Sequence, residues 1–480
     1  MCPVFAQGRR WLGPLTVVLM VAASALAWLS ERPPRAVAED AADSEFSAGR
    51  AMQHLRQIAR VPHMTGSMEH ARVRAYLLEK LRALGLETAI HETTVVRRRG
   101  RTIRAATVRS ILGKVPGLSS TGAVALVAHY DSRQLAPGAG DDGAGVAAIL
   151  EAVRALEAGP RLRNDLLVIF TDAEELGLLG AQAFVDEHPW MRQIAVLLNF
   201  EGRGDAGASV MFETGADNGW VIREFAKVDP HPIGSSLFYE IYKRLPNETD
   251  FTRFKEAGLT GLNFAIVEGA DRYHRSSDTP ANLSAASLQH HGAHALALAR
   301  HFGNLELSAT KAADVVFFHA PGLGLVSYSM AWVMPLTLVA LALAAGVTVY
   351  GFRRHNLQLG GMVVGVLLVL LSAAVAAGLS FLLWRAVAGH HPELGSLAGR
   401  SLYDEGWYML AVVALAAGSV SGLMGLARRW FGAHSLALGA VGVPLLLCVG
   451  SSLYMPGVNM LLLWPAVAVV VGIGYRLGLI

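Results

Sequence analysis

From about residue 324 onward the chain almost loses its charged side chains. No Asp, Glu, Lys or Arg lies between Asp314 and Arg353, between Arg354 and Arg385, between Glu405 and Arg428, or between Arg429 and Arg476. An uncharged apolar stretch of about 20 residues crosses a hydrocarbon core as a helix, because in lipid a segment must satisfy its own backbone polar groups. These gaps predict membrane helices near 325–352, 358–384, 407–427, 434–454 and 458–478, the last two divided only by the Pro456-Gly457 turn. The apolar share of the 480 residues, 53%, agrees, being too high for an ordinary soluble protein.

A further uncharged run, 11–29, follows Arg9 and Arg10 and is also long enough to span. It reads as a signal anchor over 1–30, with the Ala25-Leu26-Ala27 triplet leaving a cleaved signal peptide as the alternative. A Pro/Ala/acid-rich linker follows over 31–45. The pairs Arg353-Arg354 and Arg428-Arg429 then fall on the side of Arg9-Arg10, and the loop 385–406, with Glu393, Asp404 and Glu405, falls opposite. By the excess of Lys and Arg in cytosolic loops, residues 31–324 are expected outside the cytosol, in a periplasm if the source is bacterial or an organelle lumen if it is eukaryotic. The spans hold no ionisable residue at mid-depth, which argues against a channel or proton relay.

The polar region between these membrane segments alternates strand-like and helix-like runs. "AVALVAH" 123–129 is followed by a helix pattern about 142–157, "DLLVIF" 165–170 by a helix about 177–187, and "IAVLLNF" 194–200 and "LTGLNFAIV" 259–267 complete the series. Such alternation predicts an α/β domain, a mixed and mostly parallel sheet with helices on both faces, beside an all-α membrane region. The formal net charge of +3, without a basic patch interleaved with aromatics, excludes a nucleic-acid partner. The two cysteines, Cys2 and Cys448, leave the polar region with neither a disulfide framework nor a thiolate metal site.

Charged residues gather just after each apolar run. His129 and Asp131 follow the first, and Asp141 and Asp142 lie in the glycine-rich turn beyond it. Glu174 and Glu175 follow the second run, Glu201 the third, Asp271 and His274 the fourth. In sheets of this class the ligand site lies beyond the carboxyl ends of the strands. Burying so many carboxylates and imidazoles there is costly unless a cation repays it, and oxygen and nitrogen donors without thiols suit zinc or a similar divalent ion. The set is large enough for two ions, and Glu174, beside a ligand but not itself one, suits a general base.

The runs "HYDS", "GAGDDGAGVA", "FTDAEELGLLG", "NFEGRG" and "YHRSSDTPANL", in this order, resemble the co-catalytic di-zinc aminopeptidase family of the MH clan over roughly residues 50–305. The resemblance implies a zinc peptidase domain over about 46–310, ahead of the membrane domain over 324–480 read from the gaps in charged residues. The resemblance implies two zinc ions per chain, one held by His129, Asp141 and Glu201 and the other by Asp141, Glu175 and His274, with Asp141 bridging. It further implies that Asp131 orients His129, that Glu174 is the general base, and that peptides are the substrates. "NETDF" 247–251 is similar to the family's pocket-lining segment, which makes Asn247, Asp250 and Tyr273 candidate substrate contacts; Asn247-Glu248-Thr249 also matches a glycosylation sequon. Soluble members carry Asp where Glu201 stands. Glu is the residue of the membrane-attached, endoplasmic-reticulum metallopeptidase branch, whose trailing helices this chain shares.

Two other functions fit the same fold class. A glutaminyl-cyclase-like aminoacyl transferase uses one zinc, against which the full five-ligand set argues; a receptor-like ectodomain with a decayed site is opposed by the intact Glu174. Elsewhere the plain readings hold. Asp142 is expected as a helix cap, Asp278 as a turn residue before Pro280, His290 and His291 on a solvated or core helix face, and His390 and His391 in a surface loop.

Overall fold

The computed structural model describes residues 18–229, 231–391 and 405–479. Cys2, Arg9, Arg10, Glu393, Asp404 and the start of the first apolar run lie outside the described residues. The chain divides into two compact units, one reaching to Ser327 and the other beginning at Tyr328.

The first unit is built on a seven-stranded sheet of order β1-β2-β4-β3-β5-β7-β6. Strands β3 (Ala123–His129), β4 (Asp165–Thr171), β5 (Ile194–Gly202) and β7 (Gly261–Glu268) run parallel at its centre. β1 (Glu87–Arg99) with β2 (Thr102–Val115) on one flank, and β6 (Ala206–Thr214) on the other, run antiparallel. Sequence alternation placed the four central strands to within a few residues. They show no polar alternation because both faces are covered. Val124, Leu126 and Ala128 enter one core with Leu166, Val168 and Phe170, while Ala123, Ala125 and Val127 enter the other with Leu167 and Ile169.

The first core is closed by α2 (Ala48–Ile58), α4 (Ala144–Glu157) and α9 (Ala285–Phe302). Ser47 starts α2 by accepting from the Arg50 N–H at 3.2 Å, and Ala48, Ala51, Leu55 and Ile58 form its buried stripe. On the other face lie α5 (Leu179–Glu187) and α8 (Asp250–Glu256), through Ala181, Phe184, Phe251 and Phe254. The β1–β2 hairpin escaped the sequence reading because its strands are charged and threonine-rich, with much of both faces exposed.

Among its described residues the second unit holds five helices long and apolar enough to cross a membrane: α10 (Val333–Arg353, extended by the turn from Met330), α11 (Leu359–His390), α12 (Glu405–Ala427), α13 (Ala433–Tyr454) and α14 (Asn459–Leu477). In the first unit, Val18–Ser30 is a shorter apolar helix, α1. The expected span 325–352 needs correction at its start. Residues Gly324–Ser329 form strand β9, paired with β8 (Val315–Ala320), and hydropathy alone cannot separate such a strand from a helix. Arg385 also lies inside α11 rather than in a loop. Helices α11 and α13 touch through glycines. A Cβ on Gly365 would lie 2.2 Å from the Leu436 carbonyl oxygen, and one on Gly439 would lie 2.0 Å from that of Met362. Gly361 and Gly365 thus make a small-xxx-small face that lets the two backbones meet.

Candidate metal centre

Because β3, β4, β5 and β7 are parallel, their carboxyl ends open on one edge of the sheet. His129 is the last residue of β3, Glu174 and Glu175 follow β4, Glu201 lies one residue before the end of β5, and His274 follows β7. Asp141 comes from the glycine-rich turn before α4. Gly202 allows these parts to close up, since a Cβ there would lie 1.6 Å from the Gly140 carbonyl oxygen.

Two triads result, His129 with Asp141 and Glu201, and Asp141 with Glu175 and His274, the donor atoms of each lying within 4.8 Å of one another. Asp141 belongs to both. Its Oδ1 lies 3.0 Å from Nε2 of His129, and its Oδ2 lies 3.0 Å from Nε2 of His274. Glu201 Oε2 is 3.8 Å from His129 Nε2, and Glu175 Oε1 is 3.1 Å from His274 Nε2. Asp141 Oδ2, Glu175 Oε1 and His274 Nε2 are buried without an aligned hydrogen bond. Buried polar groups normally have partners, so three adjacent orphaned donor atoms of oxygen and nitrogen type fit a divalent cation, and the donor set suits zinc.

The electrostatics agree. Burial pushes Glu201 up to about 8, with Asp250 and Asp141 adding to the rise and His129 opposing it. Burial also drives Glu174 well above the usual carboxylate range, helped by Glu201, Asp250 and Glu175 and resisted by His129. Burial lowers His274, but the Asp141 and Glu175 carboxylates outweigh it and lift the ring to about 9. Burial thus disfavours the charged forms of Glu174 and Glu201, a penalty that a cation placed among them would offset.

Asp131 differs in detail from its expected part. The acceptor nearest His129 Nδ1 is the Asp131 backbone carbonyl at 2.9 Å, with the carboxylate at 3.5 Å. That carboxylate instead takes the backbone N–H groups of Glu174 at 3.0 Å and Glu175 at 3.3 Å, and so fastens the loop that bears them. Asp142 accepts from the Gly145 N–H at 3.1 Å, consistent with a cap, and also from the His129 N–H at 3.2 Å.

Beside the triads lies a cavity of about 360 Å³, whose lining includes Asp141, Glu174 and Glu201 together with Phe212, Phe238 and Ile241. Asn247 and Tyr273 line it, and Tyr273 stacks on the His274 ring at 3.6 Å between centroids. Asp250 does not line it. As the first residue of α8 it is 1% exposed and accepts from the Thr171 hydroxyl, so the expectation of a substrate contact there is corrected. The sequence reading also missed Asn199, whose Nδ2 lies 3.3 Å from Glu201 Oε1, and Arg133, whose Nε lies 2.7 Å from Glu175 Oε2. Asn199 was findable, because two residues along a strand share a face. Arg133 sits in a loop and carried no such signal.

His290 and His291 are buried on the core face of α9. His290, His294 and Asp229 are close enough to suggest a third metal group. Their nitrogens are already engaged, however: His290 with the Ser209 N–H at 3.2 Å and the His231 carbonyl at 3.0 Å, and His294 with Asp229 and with the Ser209 carbonyl at 3.1 Å.

Residues 110–299 match the model of peptidase family M28. The polar unit carries a family M28 peptidase domain. The chain is 28% identical over 307 residues to the endoplasmic reticulum metallopeptidase 1 of Homo sapiens, covering 59% of this chain and 34% of that one. It is 35% identical over 248 residues to the vacuolar membrane protease of Candida dubliniensis, covering 49% of this chain and 26% of that one. The chain thus spans about a quarter to a third of the length of these curated relatives. Among solved structures, an aminopeptidase from Aneurinibacillus sp. strain AM-1 aligns over 57% of this chain and 98% of its own, with a TM-score of 0.47 and 13% identity. The M28 match begins within β2, so β1 and the hairpin tip precede it.

Proposed function

We propose that the M28 domain holds two zinc ions on its two triads and that the protein is a membrane-anchored aminopeptidase, removing N-terminal residues from peptides on the non-cytosolic side. The observation that carries this reading is the shared carboxylate, with the two oxygens of Asp141 each 3.0 Å from a different imidazole. His129 and Glu201 would complete one ligand set, Glu175 and His274 the other. Bound there, zinc supplies Lewis acidity toward the scissile carbonyl and a water of lowered pKa.

The protein's own residues do the rest. Glu174 lines the cavity, its backbone N–H is held by Asp131, and it belongs to neither triad, which leaves its carboxyl group for acid–base work. It takes a proton from the attacking water and hands it to the leaving amine. The apolar residues Phe212, Phe238 and Ile241 receive a substrate side chain, and the acidic residues favour a free ammonium. The names of the relatives, a metallopeptidase and a membrane protease, support a peptide substrate at a membrane.

The test is zinc content together with substrate choice on the detergent-solubilised chain. Two zinc ions per chain are expected, with turnover of free-amine peptides and none of their N-acetylated counterparts. At most one zinc ion per chain, or equal turnover of blocked peptides, rejects the reading.

A further inference from the structure

We propose that Asp278 is a positioning residue, the clamp that sets the bridging carboxylate of Asp141 and so couples the two metal triads; this rests on the two-zinc reading above. Three successive backbone amides of the metal-bearing turn converge on this one residue. The Ala139 N–H donates to the Asp278 carbonyl at 3.3 Å, the Gly140 N–H to Oδ1 at 2.6 Å, and the Asp141 N–H to Oδ2 at 3.4 Å. Asp278 is 3% exposed, and its own N–H closes a turn by donating to the Arg275 carbonyl at 3.0 Å.

That turn begins beside His274, which has a left-handed backbone with φ +59°. One short segment therefore supplies the imidazole of one triad and grips the backbone that delivers the carboxylate of both. Glycine is required on the gripped side. A Cβ on Gly140 would lie 2.6 Å from the Gly204 carbonyl oxygen and 3.3 Å from Asp278 Oδ1, so the amide reaches the carboxylate only because nothing projects there. A carboxylate is the group that suits this place. Its two oxygens accept from two N–H groups at once, whereas an amide in the same position turns one acceptor into a donor facing a donor.

Partners that orient metal ligands typically contribute about 10–100-fold to metal affinity. Because Asp141 serves both triads, the loss should appear at both sites rather than one.

The experiment uses the full chain in detergent and zinc alone as the probe, titrated against a competing chelator, with thermal unfolding of the metal-free protein measured alongside. Asp278→Asn is expected to weaken both zinc sites at least about tenfold while the metal-free melting temperature stays within a few degrees of wild type. Asp205→Asn is the structural control, since Asp205 pairs with Arg272 at 2.6 Å in the same neighbourhood without holding the metal-bearing turn. It should lower the melting temperature and leave zinc affinity alone. Asp278→Glu keeps the charge but displaces the oxygens, and decides the matter by the same two readouts if the Asn variant does not fold. Wild-type zinc affinity in the Asp278 variant, with or without the fall in melting temperature expected of Asp205→Asn, or a loss confined to one of the two sites, overturns the proposal. A wild-type chain that holds no zinc overturns the metal reading and the clamp with it.

Discussion

The two units bury polar groups in opposite ways. The first buries charge: Asp131, Asp141, Glu201, Asp229, Asp250 and Asp278 are all nearly inaccessible, most of them at strand ends or in the turns beyond. The second, among its described residues, buries only Thr337, Ser372, Ser435 and Asn459. A charge at a strand end can be repaid by backbone N–H groups, neighbouring imidazoles or a cation, whereas one in mid-bilayer has few such partners and costs several kcal/mol. Among the described residues the candidate chemistry therefore gathers at the sheet edge, and the helices hold one another by close packing and a few amides and hydroxyls.

The sharpest way to separate charge that works from charge that holds is Glu174→Gln. The side chain keeps its size and belongs to neither triad, so both zinc ions and the melting temperature should be unchanged. General acid–base groups contribute about 10²–10⁴-fold, and the lost interaction exists chiefly in the transition state, so kcat should fall by at least about a hundredfold with KM little moved. A variant that turns peptides over at near the wild-type rate, measured by steady-state kinetics, would remove Glu174 from the mechanism.

How far this edge was legible in the sequence follows from the same physics. Central strands buried on both faces announce themselves as unbroken apolar runs, and the charges that break them mark the strand ends, so His129, Glu175, Glu201 and His274 stood out. Asp250 was misread because a sequence motif does not reveal which side of a short helix turns inward. Asp278 was read as a turn residue because nothing in "SSDTP" records the amides of residues 139–141 arriving from 137 or more positions away. The hairpin of β1 and β2 stayed hidden because arginine and threonine on solvated faces mask a two-residue period.

Stripping zinc should strike the first unit alone. A ligand present at about a thousand times its Kd stabilises the state that binds it by about 4 kcal/mol, so chelation should lower the melting temperature of the M28 domain while the helical signal of the membrane bundle persists. The metal-free domain should also respond to pH with a definite sign. Glu201 at about 8 and His274 at about 9 are both raised above their ordinary values in the fold. Each then contributes stability that is fully present below its unfolded pKa and is lost as pH rises through the folded one, by up to about 1.4 kcal/mol per pH unit for each group. Between pH 7 and 9 the metal-free protein should therefore lose stability, whereas the zinc-loaded protein, whose ligands are already deprotonated, should not. Parallel melting curves across that window, with and without zinc, would show a cation does not neutralise the cluster.

The smallest effect belongs to the bundle. Asn459, fully buried at the start of α14, places Nδ2 3.0 Å from the Cys448 carbonyl and 2.9 Å from Ser452 Oγ, both on α13, and 3.2 Å from Thr337 Oγ1 on α10. It joins three helices with one amide. Replacing it by Leu removes those bonds, but Thr337 and Ser452 keep their own at 2.9 Å, and the Ser452 hydroxyl still reaches the Cys448 carbonyl at 2.7 Å. Hydrogen bonds between membrane helices average about 0.6 kcal/mol and reach about 1.7, so Asn459→Leu should weaken the bundle by less than about 2 kcal/mol in detergent unfolding. Zinc affinity and kcat/KM should not change, because no group of the sheet edge is touched. If this substitution moved either one, the membrane helices would be acting on the metal centre as well as anchoring it, and the division between a charged unit that works and an uncharged unit that holds would fail.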